Sequence, residues 1–533
     1  MDRHTIPPLV KKILAGRGFK DESEMRSFLF AGSSSLSDPF MIPAMKTACE
    51  TVARAIEEKK KIFVYGDGDV DGITGTFLVL SFLKSHGAEA SYYLTHRLEE
   101  NYEIDQGLIE EISREGYSLL IAVDTGISSV EALEKAEKCK MRCIVLDHHI
   151  SNRPEKLPEC HSYVNPFVEK WNESVASLCG AGIAFKFVTG MEHILCGSRE
   201  KRLSDMYEIP CLAVLADFVP LTGENRIFVK EGLKKLPFTS VEGLRRILEF
   251  YSLTPPFSTR DITMKLNPKL NSPGRYGKPE MVLELFFEND ENLISQVISG
   301  IDAIDRERYR SISKIIEKIE SSSDLENGFV FSGENCRGLS GIIASRLSGK
   351  YNRPFMVCYE KNNIIRGSIR APEGYMIHGV RSEMEKYVDE IGGHSHAVGF
   401  KCSSTHIDRL RAALDSVESR EEETLGYDCE LDIEELNPSL IGDIYRFMEP
   451  FGKGNPHPVF LCRDVQLKKI RAGGDLQKRC WAKKKNSLFE ALLPSRVETC
   501  FGSESANILY TPFIRESGGL YRIFLRIAGV ADH

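Results

Sequence analysis

Four short apolar runs, each ending in acidic or imidazole side chains, constrain this chain's fold more than any other feature of its sequence. Lys61 to Gly66 leads into Asp67, Asp69 and Asp71; Leu119 to Val123 into Asp124; Cys143 to Leu146 into Asp147, His148 and His149; and Cys211 to Ala216 into Asp217. Stretches of helical length, Ile73 to Ser85, Asp105 to Glu115 and Ser128 to Lys138, lie between them, with another apolar run at Ala90 to Leu94. Alternation of strand and helix predicts an α/β fold whose parallel sheet is covered by helices on both faces. In such sheets ligands gather beyond the carboxyl ends of the strands, near the point where strand order reverses. All four runs are expected to deliver their polar groups to that end.

Three aspartates at alternate positions in Asp67-Gly-Asp-Val-Asp-Gly72 cannot easily share a dry strand end, because close like charges oppose one another's ionisation. A divalent cation resolves the conflict. Carboxylates with imidazole and without thiolate suit Mn²⁺ or Mg²⁺. Two such ions about 3.5–4 Å apart would activate a water and hold a phosphate in line, which favours phosphodiester hydrolysis. A plainer reading is that these aspartates cap helices or make turns. An EF-hand loop is excluded, since position twelve counted from Asp67 is Leu78, where that loop needs Glu, and an apolar helix follows.

With 533 residues the chain exceeds one ordinary core, so several domains are expected. Ser33 to Ser37 reads as a loop after a short helical lead (1–40), before the first α/β domain (41–298). The charged stretch from Ser299 to Ser323 reads as a long connecting helix (299–325). A smaller α/β unit follows (326–420), with Phe329 to Phe331, Leu339 to Gly349, Pro354 to Cys358 and Ile364 to Ile369 as its elements. Short apolar runs with Gly and Pro punctuation then predict a β-rich terminal domain (425–533). No run approaches the ~18 apolar residues of a membrane span. The 14 scattered cysteines lack a disulfide framework, so reduced thiols and a cytoplasmic location are expected.

A net charge of −8 argues against coating nucleic acid through bulk positive charge, but not against a local basic groove. Phe451 to Glu490 carries ten Lys or Arg against three Asp or Glu. Lys478 and Arg479 lie beside Trp481, with Lys468, Lys469, Arg471 and Lys483 to Lys485 nearby, a basic and aromatic combination suited to a single strand on an OB-type barrel. The plainer alternative is a lysine-rich hairpin that keeps a β edge soluble.

The motifs GDGDVDGIT, VDTGIS, LDHHIS and LADFVPL stand in the order of the four motifs of the DHH phosphoesterases, which the chain resembles. Asn267 to Arg275 (NPKLNSPGR), Gly341 to Pro354, Gly367 to Arg370 (GSIR), Gly392 to Phe400 (GGHSHAVGF) and Pro450 to Phe460 (PFGKGNPHPVF) extend the resemblance to the RecJ branch, the single-strand-specific 5′ to 3′ DNA exonucleases. It covers nearly the whole chain. It implies a parallel-sheet DHH domain, a connecting helix, a DHHA1 domain and a C-terminal OB-like barrel. It further implies Asp67, Asp69, Asp71, Asp124, His148 and Asp217 as ligands of two Mn²⁺ or Mg²⁺ ions or as residues that orient them. Asp147 would orient the histidines and His149 would contact or protonate the scissile phosphate. Arg97, Arg275, Ser368 and Arg370 would lie near the 5′ end, and Gly392, Gly393 and His394 would approach phosphate. The chain departs from the family pattern at Gly68, where Tyr is usual, at Thr125, where Asn is usual, and in His96 to Ile104, which lacks the expected glycines.

The reading that follows is a monomeric exonuclease that releases mononucleotides from single-stranded DNA in repair and recombination. A helicase and a single-strand-binding protein are its candidate partners. The alternatives are a DHH phosphodiesterase of short oligoribonucleotides or cyclic dinucleotides, and a non-catalytic single-strand-binding scaffold.

Overall fold

The computed structural model describes residues 5–533 apart from 97–102, 152–153, 159–160, 196–202, 323–324, 326–327, 332–335, 373–374, 376, 395–396, 416, 418–425, 470–477, 494–504, 518–519 and 532–533. The chain forms two compact units, one of Ser37–Val219 with Glu231–Glu421, the other of Met1–Leu36, Pro220–Lys230 and Glu422–His533.

The first unit contains a parallel sheet of β1 (Lys61–Gly66), β2 (Ala90–Leu94), β3 (Tyr117–Val123), β4 (Arg142–Leu146) and β5 (Ser162–Val164), in the order β2-β1-β3-β4-β5. Strand order reverses between β1 and β3, which places the crevice beside Asp67 and Asp124. Side chains alternate across the sheet. Phe63, Tyr65, Leu120 and Ala122 pack against Ile109, Ile112, Leu133 and Ala136 of the helices Gln106–Arg114 and Val130–Lys138, while Ile62, Val64 and Ile121 are buried on the opposite face. Burial on both faces explains why β1, β3 and β4 read as continuous apolar runs.

One expected strand is a helix. Cys211 to Ala216 belongs to the helix Glu208–Ala216, whose residues are buried from Glu208 to Leu215. With no solvated face it shows no 3.6-residue period, and a short apolar run does not separate strand from helix. The three-residue β5 went unread for the opposite reason, being too short to give a pattern.

The charged stretch read from Ser299 lies in a 30-residue helix, Glu291–Glu320, which begins where the Asp290 carboxylate accepts from Asn292 N and Leu293 N. It leads to a second sheet of β6 (Phe329–Phe331), β7 (Phe355–Lys361), β8 (Ile364–Arg370), β9 (Glu390–His394) and β10 (Ala397–Ser403), in the order β6-β7-β8-β10-β9. The β6–β7 pair is parallel and the others are antiparallel.

The second unit is built on β11 (Cys429–Glu430), β12 (Phe460–Lys469), β13 (Lys478–Lys484), β14 (Ser487–Leu493), β15 (Ala506–Ser517) and β16 (Leu520–Ala531). The β12–β15 pairing closes the five longer strands into an OB-like barrel. The helices Pro8–Gly16 and Glu22–Phe30 share its core: Val10, Ile13, Leu14 and Leu29 cluster with Phe460, Tyr510 and Leu525. Polar contacts fix the same join. Arg17 Nε donates to Asp428 Oδ1 at 2.7 Å and its Nη1 to Asn455 Oδ1 at 2.7 Å, while Arg226 donates to the carbonyls of Phe28, Met448, Glu449 and Pro450. Leu14→Ala is expected to cost about 2–5 kcal/mol, the usual penalty for a fully buried leucine. Denaturant unfolding followed by Trp481 fluorescence in a Trp171→Phe background measures it.

Candidate metal centre and strand interface

After β1 the chain turns through Asp67 and Gly68 into the helix Val70–Ser85, which Asp69 caps. Asp69 Oδ1 accepts from Asp71 N at 2.9 Å and from Gly72 N at 3.1 Å. The plainer reading of this aspartate is therefore correct as far as it goes, yet Asp67, Asp69 and Asp124 also bring one carboxylate oxygen each within 4.8 Å of one another. Asp71 is buried at the start of the helix Gly180–Leu195, and its two oxygens accept from Gly180 N at 2.8 Å and Ala181 N at 2.6 Å. Those backbone donors and the positive end of the helix dipole favour a negative charge there. A side chain at position 180 would place Cβ 2.6 Å from Asp124 Oδ1, so the glycine lets the two carboxylates meet.

Asp124 follows β3 in the left-handed region, at φ 59°, and is 3% exposed. His148 Nε2 lies 3.2 Å from its Oδ1 without hydrogen-bond alignment, so that buried oxygen has no donor. An unsatisfied buried acceptor is costly, and a cation would satisfy it. The same His148 nitrogen lies 3.7 Å from Asp217 Oδ2 and 3.8 Å from Asp71 Oδ2, and Asp71, His148 and Asp217 form a second group of cation size. Five carboxylates converge with His148, His149 also lies within reach of Asp124, and no thiolate takes part, a donor set that fits two hard divalent ions.

Protonation behaviour agrees with a cluster short of positive charge. Burial pushes Asp71 up and Asp124 well up, with neighbouring carboxylates adding to both. Burial likewise carries Asp217 to about 6, against the opposing pull of His148. Burial works against a charge on His148, but Asp217, Asp71 and Asp147 outweigh it and raise the imidazole.

Asp147 is placed differently. Its buried carboxylate accepts from Ile127 N at 3.1 Å, His148 N at 2.8 Å, His149 N at 3.1 Å and His149 Nδ1 at 2.8 Å. These contacts and the imidazole charge overcome burial and bring it to about 2, while the same carboxylate lifts His149 to about 9 against its own desolvation. Asp147 thus fixes the His149 ring and the backbone of both histidines, and the His149 side chain remains 56% exposed.

The helix Asn267–Arg275 joins the acid loop to the second sheet. Asn271 Oδ1 accepts from Val70 N at 3.0 Å, and a Cβ on Gly274 would lie 2.1 Å from Gly68 O. The next residue, Arg275, donates through Nη1 to Gly338 O at 3.1 Å, just before the helix Ser340–Tyr351. Ser340 Oγ lies 3.2 Å from Ser368 Oγ, and a Cβ on Gly341 would meet the Arg370 guanidinium at 2.8 Å and Ser368 Oγ at 3.4 Å. Arg275, Ser368 and Arg370 are thus gathered around one helix N-terminus, an arrangement suited to phosphate. Arg97 lies outside the described residues. Gly392, Gly393 and His394 lie in the edge strand β9 opposite Gly399, Val398 and Ala397, and the space beside Gly392 is open.

On the barrel, Arg479, Trp481 and Lys483 alternate along one exposed face of β13, with Trp481 39% exposed and Cys480 and Ala482 buried between them. Lys478 opens that strand opposite Leu493. The basic run is partly neutralised: Lys484 pairs with Asp432, Lys485 with Glu434 at 2.9 Å, and Arg479 with Glu490 at 3.2 Å. Sequence counting could not separate those structural ion pairs from charge facing a strand.

Comparison with known proteins places this architecture. Residues 61–214 match the model of the DHH family N-terminal domain, 329–420 that of the DHHA1 domain and 427–528 that of the RecJ OB domain. The chain carries the DHH, DHHA1 and RecJ OB domains in that order. The single-stranded-DNA-specific exonuclease RecJ of Bacillus subtilis is 29% identical over 88% of the chain, which spans 60% of that relative. RecJ of Thermus thermophilus is 27% identical over 86% of the chain and 68% of the relative. The crystal structure of RecJ in complex with Mn²⁺ from Thermus thermophilus matches at a TM-score of 0.79 and 21% identity, covering 99% of this chain and 79% of that one.

Around the acid cluster, the residues that sequence reading missed act mostly by holding the carboxylates in place. They are Thr95, which hydrogen-bonds Asp67, Asn271 on the acid loop, and the Gly180 and Ala181 amides on Asp71. The Gly-Ala-Gly sequence opening an apolar helix was the one available signal.

Proposed function

We propose that the chain is a metal-dependent exonuclease that hydrolyses phosphodiester bonds of single-stranded DNA from the 5′ end, releasing mononucleotides, in DNA repair and recombination. One observation carries this reading: neighbouring residues of the helix Asn267–Arg275 touch both the acid loop and the Arg275–Ser368–Arg370 cradle. A terminal phosphate held in that cradle lies next to the cluster that cuts, which makes the strand end the site of reaction.

Asp67, Asp69 and Asp124 would hold one Mn²⁺ or Mg²⁺ ion, and Asp71, His148 and Asp217 the other. The ions supply Lewis-acid activation of water and charge neutralisation at phosphate. His149, its Nδ1 committed to Asp147, would present Nε2 to the scissile phosphate and hold a proton there. Arg275, Ser368 and Arg370, joined by Arg97, would bind the 5′ end, with Gly392, Gly393 and His394 approaching the backbone. Lys478, Arg479 and Trp481 would hold the strand by charge and stacking. Residues 41–298 then cut, 299–325 connect, 326–420 clamp and 425–533 hold. The protein would work as a monomer in the cytoplasm, with a helicase and a single-strand-binding protein supplying and coating the strand. The described cysteines are buried, all but Cys139, and no described helix is long and apolar enough to cross a membrane.

Time courses on 5′- and 3′-labelled DNA and RNA, in Mg²⁺ and in Mn²⁺, test the reading. The expected result is early mononucleotide release from 5′-labelled single-stranded DNA, lost in Asp69→Ala and His148→Ala. Cleavage of dinucleotides with no action on long DNA, or Mn²⁺ binding with no hydrolysis, would replace it with an oligonucleotide phosphodiesterase or a scaffold.

A further inference from the structure

Thr95, at the end of β2, is 4% exposed and makes three hydrogen bonds around the first acid loop. Its backbone N donates to Gly66 O at 2.9 Å, its Oγ1 accepts from Gly68 N at 2.9 Å, and the same hydroxyl donates to Asp67 Oδ1 at 2.5 Å. A hydroxyl has one proton. Because Oγ1 already accepts from Gly68 N, that proton is directed at the carboxylate, and burial keeps water from competing for it. The bond falls on the carboxylate that faces Asp69 and Asp124.

Gly68 makes this approach possible. A side chain there would put Cβ 2.0 Å from Thr95 O and 3.3 Å from the Pro279 ring, while the helix carrying Gly274 closes on Gly68 O from the other side. The tyrosine usual at this position in the family has no room on this backbone. The glycine therefore goes with a loop drawn tight against β2, where a threonine hydroxyl can reach the first aspartate.

We propose that Thr95 is a positioning residue that orients Asp67 for the cation and so sets the affinity of the centre for its metal. This rests on the proposed reading of Asp67 as a ligand. The partner that orients a metal-binding carboxylate commonly governs affinity by about 10–100-fold. Mn²⁺ binding is measured directly, by calorimetry or by the loss of free-ion paramagnetic signal, on wild type, Thr95→Val, Thr95→Ser and Asp69→Ala, alongside the Mn²⁺ dependence of hydrolysis and the melting temperature. Thr95→Val, which keeps the shape and removes the hydroxyl, is expected to weaken Mn²⁺ binding about 10–100-fold and to recover most of its rate at saturating Mn²⁺. Thr95→Ser should restore the affinity. Unchanged Mn²⁺ binding in Thr95→Val, failure of Thr95→Ser to restore it, or a rate loss that tracks a fallen melting temperature and persists at saturating metal would overturn the proposal. A wild type that binds no Mn²⁺ would overturn the metal centre and this inference together, whereas Mn²⁺ binding lost in Asp69→Ala but unaltered in Thr95→Val would overturn this inference and leave the centre standing.

Discussion

Asp124→Asn is expected to abolish hydrolysis while making the metal-free protein more stable. Asn keeps the size of the side chain and tolerates the left-handed backbone at φ 59°, so the turn after β3 should survive. The negative charge is what disappears. In the metal-free protein that charge is buried, raised well above the ordinary carboxylate range, and faces Asp71 and Asp69. A carboxyl raised in the folded state contributes stability below its unfolded value and loses it as pH rises through the folded value, so near neutral pH an ionised Asp124 works against the fold. Its removal should raise the melting temperature of the chelated protein, by roughly 2–4 °C per kcal/mol relieved in a domain of this size. Added Mn²⁺ should reverse the ranking, because an ion at 100 times its dissociation constant stabilises the wild type by about 2.7 kcal/mol and the variant binds it poorly. The rate should fall about 10³-fold or more, the loss of several kcal/mol of charge stabilisation. Thermal melts with chelator and with Mn²⁺, beside single-turnover rates, check both halves. A variant that melts lower without metal and retains its rate would make Asp124 a structural residue.

This opposition between stability and function bears on what could be read in the sequence. The acids were legible because each follows an apolar run, and β1, β3 and β4 were legible because burial on both faces leaves no polar interruption. The same signal misled at Cys211 to Ala216, where a helix buried on every side also lacks a polar interruption. Asp217 still reaches the cluster, as the residue that ends that helix. What supports the acids was not legible. Thr95 lies 28 residues from Asp67 and Asn271 lies 201 residues from Val70, and a lone hydroxyl or amide carries no pattern that announces a distant partner. The donors on Asp71 are backbone amides, which every residue but proline possesses. The apolar spacing of Val10, Ile13 and Leu14 shows that the N-terminal helix needs a core, but not that strands more than 400 residues later provide it. The basic segment shows the converse, since its charge is plain in the sequence while its partners Asp432, Glu434 and Glu490 emerge from the fold.

Asp147→Asn should uncouple the orientation of His149 from its charge. Asp147 Oδ1 accepts from two backbone amides and from His149 Nδ1, while Oδ2 accepts from Ile127 N. An asparagine can keep one of these faces, but its amide group then opposes a donor on the other, and the negative charge that holds His149 at about 9 is gone. The sign follows for each group. His149 is raised, so the stability of its charged form is present below the ordinary imidazole value and is lost as pH rises through about 9. Asp147 is depressed to about 2, so its contribution is present above the ordinary carboxylate value and is lost as pH falls through about 2. In the metal-free variant the His149 ring should titrate far below 9, as followed by NMR, because burial and the His148 charge oppose its protonation once the Asp147 charge is gone. The fold should lose about 2 kcal/mol at neutral pH, the equivalent of the Asp147 depression. Hydrolysis should fall about 10–100-fold, as is usual when the partner orienting a site histidine is removed. If His149 Nε2 holds a proton at the scissile phosphate, the remaining activity should decline as pH rises past the lowered imidazole value, where the wild type still holds its proton. A variant whose rate falls by one factor at every pH would show that Asp147 fixes the direction of the ring and leaves proton donation to another group.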